Sequence, residues 1–412
     1  MGINPQPATT NLCRPAPQTN HRANTQTIPI QEPHQRLLNT PIDPMVLQPT
    51  HRGNDRPVTL TSILTSPFRL FRPSAPKPAP EPEFAVPVLD FPEAPADIRQ
   101  LIRLRRYAGI VRPRDGVPFD GESMRFAWKA IEHDMALVPA GSVSMVAEYA
   151  TTTDKGFALL PHAIGPTPVE SVYIDRWCVT NADYKHFITD GGYENPNFWP
   201  EQIVPTLSQF RDQTRHPGPA YWCDGQPAAG TESHPVVGIC WYEANAYAQW
   251  AGKRMPTSAE WQRAAVWENT NAETGREPRY PWGDSFDPQY ANIWSSQRHG
   301  TASVQEFLEG NTTSGVRQLI GNVWEWVNTQ YVLAATDNVQ VLSNEPMAEI
   351  RGGAFDSYFH THTTAQARSA MPLMTRVTNL GFRCCLPATG LTPPAPQRPT
   401  DNPTEPPSTH DA

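Results

Sequence analysis

Apolar and polar positions along this chain follow a helical period in some segments, a two-residue period in others, and no period over long stretches. Between Asp97 and Ala108 the apolar residues Ile98, Leu101, Ile102 and Leu104 recur at helical spacing, and Asp97 can cap the first turn. The spacing predicts a short helix with Arg99, Arg103, Arg105 and Arg106 on a solvated charged face. Met124, Trp128 and Ile131 predict a second helix from Glu122 to Glu132. Alternation from Val172 to Val179 reads as a strand. Thr180 followed by Asp183 is a capping-box-like start for a helix from Ala182 to Ile188. A helix from Glu243 to Ala251 ends at Gly252, the residue that suits a left-handed C-terminal stop. Thr257 and Glu260 form a capping box that opens a further helix carrying Trp261 and Ala264. Short strands, a few helices and glycine-punctuated loops predict an α+β domain with much irregular backbone.

Composition sets the limits of that domain. The chain has 412 residues and 46 prolines, of which nineteen fall in the first 97 residues and eight in the last 26. Residues 1–96 are predicted to be a disordered, proline-rich arm, with an extended, polyproline-like run at Pro73–Pro82. Residues 97–134 read as a short helical linker, 135–388 as the packed domain, and 389–412 as a second disordered, proline-rich tail. The arms read first as spacers; proline-rich strings also suit aromatic grooves. The net charge of −8 argues against a nucleic-acid partner. No stretch of ~18 apolar residues is present, so no membrane span is expected. The N-terminus has no apolar run of the signal-peptide kind. Six scattered cysteines without a CxxC pattern predict reduced thiols and a cytoplasmic location.

Nine motifs carry a resemblance. They are Met135-Ala-Leu-Val-Pro-Ala-Gly-Ser142, Ile174-Asp-Arg-Trp-Cys-Val-Thr-Asn-Ala-Asp-Tyr184, His234-Pro-Val-Val-Gly-Ile-Cys-Trp241, and Trp250-Ala-Gly-Lys-Arg-Met-Pro-Thr-Ser-Ala-Glu-Trp261. Tyr280-Pro-Trp-Gly283, Ala291-Asn-Ile-Trp294, Gly321-Asn-Val-Trp-Glu-Trp326, Arg351-Gly-Gly353 and Asn379-Leu-Gly-Phe-Arg-Cys384 follow. In this order they resemble the formylglycine-generating, or sulfatase-modifying-factor, family. The resemblance implies a C-type-lectin-like fold. It also implies an oxygen-dependent oxidoreductase that binds copper(I) through two cysteines five residues apart and converts a peptide cysteine to an aldehyde.

Counting from Arg351-Gly-Gly353, those two cysteine places fall at Ser357 and His362, and a family serine falls at Ala354. Thiolates suit Cu(I) and a hydroxyl does not, so copper chemistry is disfavoured. If His360-Thr-His362 is extended, His360 and His362 share one face and, with Asp356 and a ligand such as His299, can hold non-heme iron or another metal. In the related sulfoxide synthases the resemblance implies iron histidines in a separate helical domain, whereas the first 134 residues here hold no HxxxH. A hydrolase built on Ser357, His360 or His362, and Asp356 lacks a G-x-S-x-G elbow.

The resemblance also implies structural calcium at Gln318, Gly321, Val323 and Glu325, with backbone oxygens from Gly321 and Val323. A second calcium place at Asn292 and Ile293 has lost its acidic partner in the short loop Ser295–His299 and is expected to be empty. A family disulfide matches Cys384, but its partner place is Ala248, so that bridge cannot form. Among the tryptophans at motif positions most are expected in the core, while Trp324 maps to a pocket-lining place.

Three functions follow. The first is a binding protein that holds a peptide or other ligand in the lectin-like groove through Trp324, Asp356 and Tyr358. The second is a divergent oxidoreductase with a histidine-based metal. The third is a display protein of the diversity-generating-retroelement type, because every residue of Asp356–Thr364 can arise from mutated adenines in asparagine codons. Loss of both thiolates favours binding.

Overall fold

Asp120 accepts hydrogen bonds from the amides of Glu122 and Ser123 at 2.9 Å, and this fixes the start of a 14-residue helix, Gly121–Asp134. The computed structural model describes residues 89, 91–112, 119–153, 156–331, 334–335 and 345–392, with the main chain alone at 147–164 and 334–335. Most of the two predicted proline-rich arms lies outside the described residues. All described residues belong to one unit, Ala75–Ala412.

The helices are α1 (Ala96–Arg103), α2 (Ala108–Val111), α3 (Gly121–Asp134), α4 (Asn181–Thr189), α5 (Trp241–Trp250) and α6 (Ser258–Val266). The strands are β1 (Met135–Val138), β2 (Gly141–Thr153), β3 (Gly156–Val169), β4 (Val172–Asp175), β5 (Trp324–Gln330), β6 (Ala334–Ala335), β7 (Met347–Arg351), β8 (Arg368–Pro372), β9 (Leu380–Phe382) and β10 (Cys385–Pro387). They form three sheets, in the orders β1-β4-β10, β3-β2-β6 and β8-β7-β5-β9. The pairs β5–β9 and β2–β6 are parallel; the rest are antiparallel. Mixed helix and sheet with much loop is the expected architecture. The long β2–β3 hairpin was not foreseen.

The local capping signals hold. Thr180 and Asp183 close a capping box on α4, and Thr257 and Glu260 close one on α6. Gly252 sits at φ +72° after α5, where a side chain would be strained. Tyr184 and Phe187 of α4 pack on Tyr247 and Trp250 of α5 and on Phe382 of β9, forming one core cluster. A second cluster joins α6, through Trp261, to Val143, Ile174, Ile293 and Leu319.

The expected helix from Asp97 to Ala108 stops at Arg103, because Arg105 adopts a left-handed conformation, φ +55°. Its guanidinium turns inward instead of lying on a solvated face. It is buried and meets Asp134, Asp175 and Asp183 at 3.2–3.4 Å. Lys253 joins Asp175 at 2.8 Å, so five chain segments share one charge network. Arg106 stays partly exposed, pairing with Asp190 at 2.8 Å over the Trp250 ring.

Helices α1–α3 therefore form a core cluster with Met135 and Leu386. Both ends of the described chain join it. Phe91 packs on Phe126 and Ala94 is buried, although they fall in the segment expected to be disordered. Leu391 packs on the same cluster, and Thr392 bonds Val111 and the Trp128 indole. Apolar residues next to a helical core are drawn onto it whatever the composition of the flanking sequence.

Candidate functional site

The loop that leaves β7 is held from below. Arg351 ends the strand and is buried. Its guanidinium donates to Ser258 Oγ, Gln262 Oε1 and the Ala365 carbonyl, lying over the Trp261 ring. Burial pulls its pKa down to about 10. Gly352 and Gly353 follow at φ +95° and +78°. A Cβ on the first would stand 2.6 Å from the Leu319 carbonyl oxygen, and one on the second 2.4 Å from the Thr363 side chain. These contacts explain the Arg-Gly-Gly motif as a sharp turn closed against its own loop end.

Asn322 is the second anchor. Its side chain donates to the Ala302 carbonyl and Gln318 Oε1, and accepts from the Ala302 amide and Asn292 Nδ2. Its carbonyl accepts from the Phe355 amide. The loop then passes Asp356, whose carboxylate accepts from Asn379 Nδ2 at 2.9 Å, and Ser357, whose Oγ accepts from the Ala354 amide at 2.9 Å. The Ser357 carbonyl accepts from the Trp294 amide.

The histidine segment differs from its expected form. His360–His362 is a 3₁₀ turn, not extended chain, because the His360 carbonyl takes the Thr363 amide, the Thr363 hydroxyl and the Tyr280 hydroxyl. In such a turn side chains two apart diverge by roughly 120°. The rings do diverge: His360 stacks on Phe286 at 4.9 Å, and His362 meets Phe359 at 5.5 Å. Among the described residues neither imidazole is hydrogen-bonded to Ser357, and Asp356 faces Asn379, so the Ser–His–Asp arrangement is not assembled.

What the loop presents is an aromatic surface. His299 contacts Trp294 at 5.3 Å, Trp294 contacts Tyr358 at 6.3 Å, Tyr358 contacts Phe359 at 4.9 Å, and Phe359 contacts His362. Trp294, Tyr358 and Phe359 are 46%, 68% and 58% exposed, whereas Trp261 and Trp326 are fully buried. Trp294 and Phe359 were not singled out from the sequence as binding residues; the Tyr-Phe pair between polar residues was the available signal. Trp324 is half-buried against the first core cluster, and among the described residues no ring contact joins it to this run.

The metals implied by the resemblance can be tested on their donors. Copper(I) does not fit: the two thiolate places are a hydroxyl that holds the loop turn and an imidazole packed on Phe359. Among the described residues no three His, Cys, Asp or Glu side chains converge as a metal-binding group. Calcium does not fit the Gln318–Glu325 place as its donors stand. Both Glu325 oxygens face the Arg383 guanidinium at 2.7 Å, and they also take the Trp261 indole and the Cys178 thiol. Gln318 Oε1 is spent on Asn322, and a guanidinium beside the sole carboxylate opposes a cation. At the second place Asn292 bonds Gly300, Asn322 and Ser296, and Ile293 is buried in the core.

Cys384 and Ala248 are both fully buried; the thiol is free, and burial raises its pKa well above the ordinary cysteine value. Among the described residues no helix is long and apolar enough to cross a membrane.

The chain is similar to several known proteins. The hercynine oxygenase of Mycobacterium tuberculosis is 34% identical over 170 residues, which cover 39% of this chain and 38% of that one. The chain thus spans under two fifths of that relative's length. The formylglycine-generating enzyme of Streptomyces coelicolor is 31% identical over 265 residues, covering 54% of this chain and 82% of that one. Among solved structures, the crystal structure of CarF aligns with a TM-score of 0.42 at 19% identity, over 62% of this chain and 98% of that one. Residues 124–388 match the sulfatase-modifying factor enzyme 1-like domain from end to end of the region that carries the Arg-Gly-Gly turn and its anchors, and the chain belongs to that family.

Proposed function

We propose that this protein is a ligand-binding member of its family that does not make formylglycine with copper. It holds an extended peptide against the aromatic surface of the 354–364 loop. Trp294, Tyr358 and Phe359 supply stacking area, Asp356 fixes the loop edge through Asn379, and His360 and His362 contribute rings and polar nitrogens instead of metal ligands. Ser357 shapes the turn, and Trp324, packed on the first core cluster, is left out of the ring run. The observation that carries this reading is the exposed ring run of Trp294, Tyr358 and Phe359, two of whose rings lie between Ser357 and His362 in the chain. Aromatic side chains lose little conformational entropy on binding, so such a run is suited to peptide recognition. The free, unbridged cysteines support a reducing compartment.

Two assays test it. The full chain, incubated with Cu(I) and a cysteine-containing peptide under air, is expected to leave the thiol unoxidised; aldehyde formation overturns the reading. A random heptapeptide display library selected on the full chain is expected to yield binders whose affinity drops at least tenfold for Trp294→Ala and Tyr358→Ala. Binders indifferent to both changes place the site elsewhere.

A second reading, an oxidoreductase, is favoured by the 34% identity to a hercynine oxygenase. Its metal ligands must then come from beyond the ring run. Metal analysis of purified full chain decides: stoichiometric iron or copper supports it, and its retention in a His360→Ala, His362→Ala double variant puts the ligands outside the loop.

A further inference from the structure

Arginines crowd one corner of the fold around Trp177. The Arg105 and Arg317 guanidiniums lie over its ring, 5.0 and 5.4 Å from the centroid. The Arg317 amide donates to the Arg176 carbonyl at 2.6 Å, and the Arg383 guanidinium donates to the carbonyls of both. The carboxylates at this corner are already taken. Asp134, Asp175 and Asp183 serve Arg105 and Lys253, and Glu325 serves Arg383. Glu306, beside Gln305, pairs with Arg298, and Glu268 is spent on the amides of Thr313 and Ser314.

Arg176 and Arg317 are left with neutral partners. Arg176 donates to the main-chain carbonyls of Glu132, His133 and Ser314, and Arg317 to the Gln305 side-chain oxygen. Among the described residues neither guanidinium has a carboxylate within ion-pair distance. Both are partly buried. Burial lowers the pKa of each, and Arg176 lowers that of Arg317 further; Asp134 offsets the effect at Arg176.

We propose that Arg176 and Arg317 hold a small tetrahedral oxyanion, inorganic phosphate or sulfate, between the end of α3 and the segment that leads into β5, with the Gln305 amide as a further donor. The inference is independent of what the aromatic loop binds.

The unspent hydrogen-bonding groups of this cluster give the ligand its sign. Arg317 Nε, Gln305 Nε2 and the Trp177 indole nitrogen are sealed from solvent without an acceptor, and Trp177 as a whole is 3% exposed. All three are donors. A guanidinium carries five N–H groups, of which Arg317 uses one and Arg176 three. Such a cluster calls for an acceptor, and two facing cations call for negative charge. Water supplies the acceptor but leaves the charges opposed. An oxyanion supplies both, and the planar fork of arginine suits its paired oxygens. The sealed nitrogens, on side chains that are at most partly exposed, favour a free ion over a phosphate carried on a macromolecule.

The site also has a structural consequence. Arg176 already bonds the last turn of α3 through the Glu132 and His133 carbonyls. Arg317 stands one residue before Gln318, which bonds Asn322, the anchor under the ligand loop. An ion shared by the two arginines ties these parts together.

The test is titration calorimetry of the full chain with sodium phosphate, and separately sodium sulfate, at pH 7 and constant ionic strength set with chloride. One ion per chain is expected, with affinity about tenfold weaker in Arg317→Met and in Gln305→Glu and unchanged in Arg125→Met, an exposed arginine on α3. Gln305→Glu gives Arg317 the carboxylate it lacks while keeping the side chain's shape, so this variant should fold and, in chloride alone, melt no lower than the native chain. Both anions also stabilise proteins generally by exclusion from their surface, and that effect is common to every variant; the gain specific to the native chain is the reading. No binding to the native chain, equal affinity in folded Gln305→Glu or folded Arg317→Met, or a Gln305→Glu chain less stable than native in chloride overturns the proposal.

Discussion

Glu325 and Arg383 meet as a two-pronged pair, each prong 2.7 Å long, and both side chains are essentially sealed from water. Burial opposes the charge on Arg383, but the facing Glu325 outweighs it and raises the guanidinium pKa above its ordinary value. The same carboxylate takes the Trp261 indole and the Cys178 thiol. One ion pair thus ties β5 to the segment between β9 and β10 and to α6. Removing one partner leaves a buried charge alone, which costs about 3–5 kcal/mol. Glu325→Gln should lose stability of that order in urea denaturation; a loss under about 1 kcal/mol would show that water reaches the guanidinium.

The same pair makes a prediction about calcium. An ion bound only to the native state at a hundred times its Kd adds about 2.7 kcal/mol, a shift of several degrees in Tm for a domain of this size. With Glu325 occupied by Arg383, Tm measured in millimolar calcium and in EGTA should agree within about 1 °C. A rise of several degrees with calcium would show that the carboxylate is released to the ion.

Arg105 gives the pH dependence a sign. Burial alone would raise the Asp134 pKa, but Arg105, the His133 hydrogen bond and Lys253 together lower it. A carboxyl with a depressed folded-state pKa stabilises the fold above its unfolded value of ~3.9 and loses that contribution as pH falls through the folded value. Stability should therefore drop below about pH 4, and Arg105→Met should move the acid-unfolding midpoint to higher pH. An unchanged midpoint in the variant would remove Arg105 as the cause.

These two networks mark where sequence reasoning stops. The capping boxes of α4 and α6 were legible because each is written within four residues. The missing thiolates were legible only through the family resemblance, by counting from Arg351-Gly-Gly353 to Ser357 and His362. Arg105 was misread because its carboxylates lie 29, 70 and 78 residues away, and helical periodicity alone places arginines outside. The His360–His362 segment was misread because a His-x-His spacing does not fix the backbone form, whereas the Tyr280 hydroxyl, 80 residues away, helps fold it into a turn. The β2–β3 hairpin was missed because its apolar positions do not alternate cleanly: Ala147, Ala150 and the run Thr151–Thr153 leave no strong two-residue period.

The proposed lack of copper chemistry can be tested by restoring the two thiols. If the donor set alone forbids it, the Ser357→Cys, His362→Cys double variant should bind about one Cu(I) in anaerobic competition with a chromogenic chelator, while the native chain binds none at the same chelator strength. Equal behaviour of the two would mean that the turn at His360–His362, not the donors, separates the positions too far.

Stability and binding should separate at Trp294. Its ring is 46% exposed, and its hold on the loop is a backbone bond from its amide to the Ser357 carbonyl, which alanine keeps. Surface replacements of this kind change stability by about 0.5 kcal/mol or less. Stacking on an exposed ring is lost entirely with the ring. Trp294→Ala should therefore unfold at nearly the native urea midpoint yet bind display-selected peptides at least tenfold more weakly, and Tyr358→Ala should do the same. Phe286 lies beneath His360 at 4.9 Å and supports the loop from the other side, so Phe286→Ala should lower both stability and binding. A Trp294→Ala chain that binds normally would show that the exposed rings are ornament to this surface, and that recognition, where it occurs, uses another face.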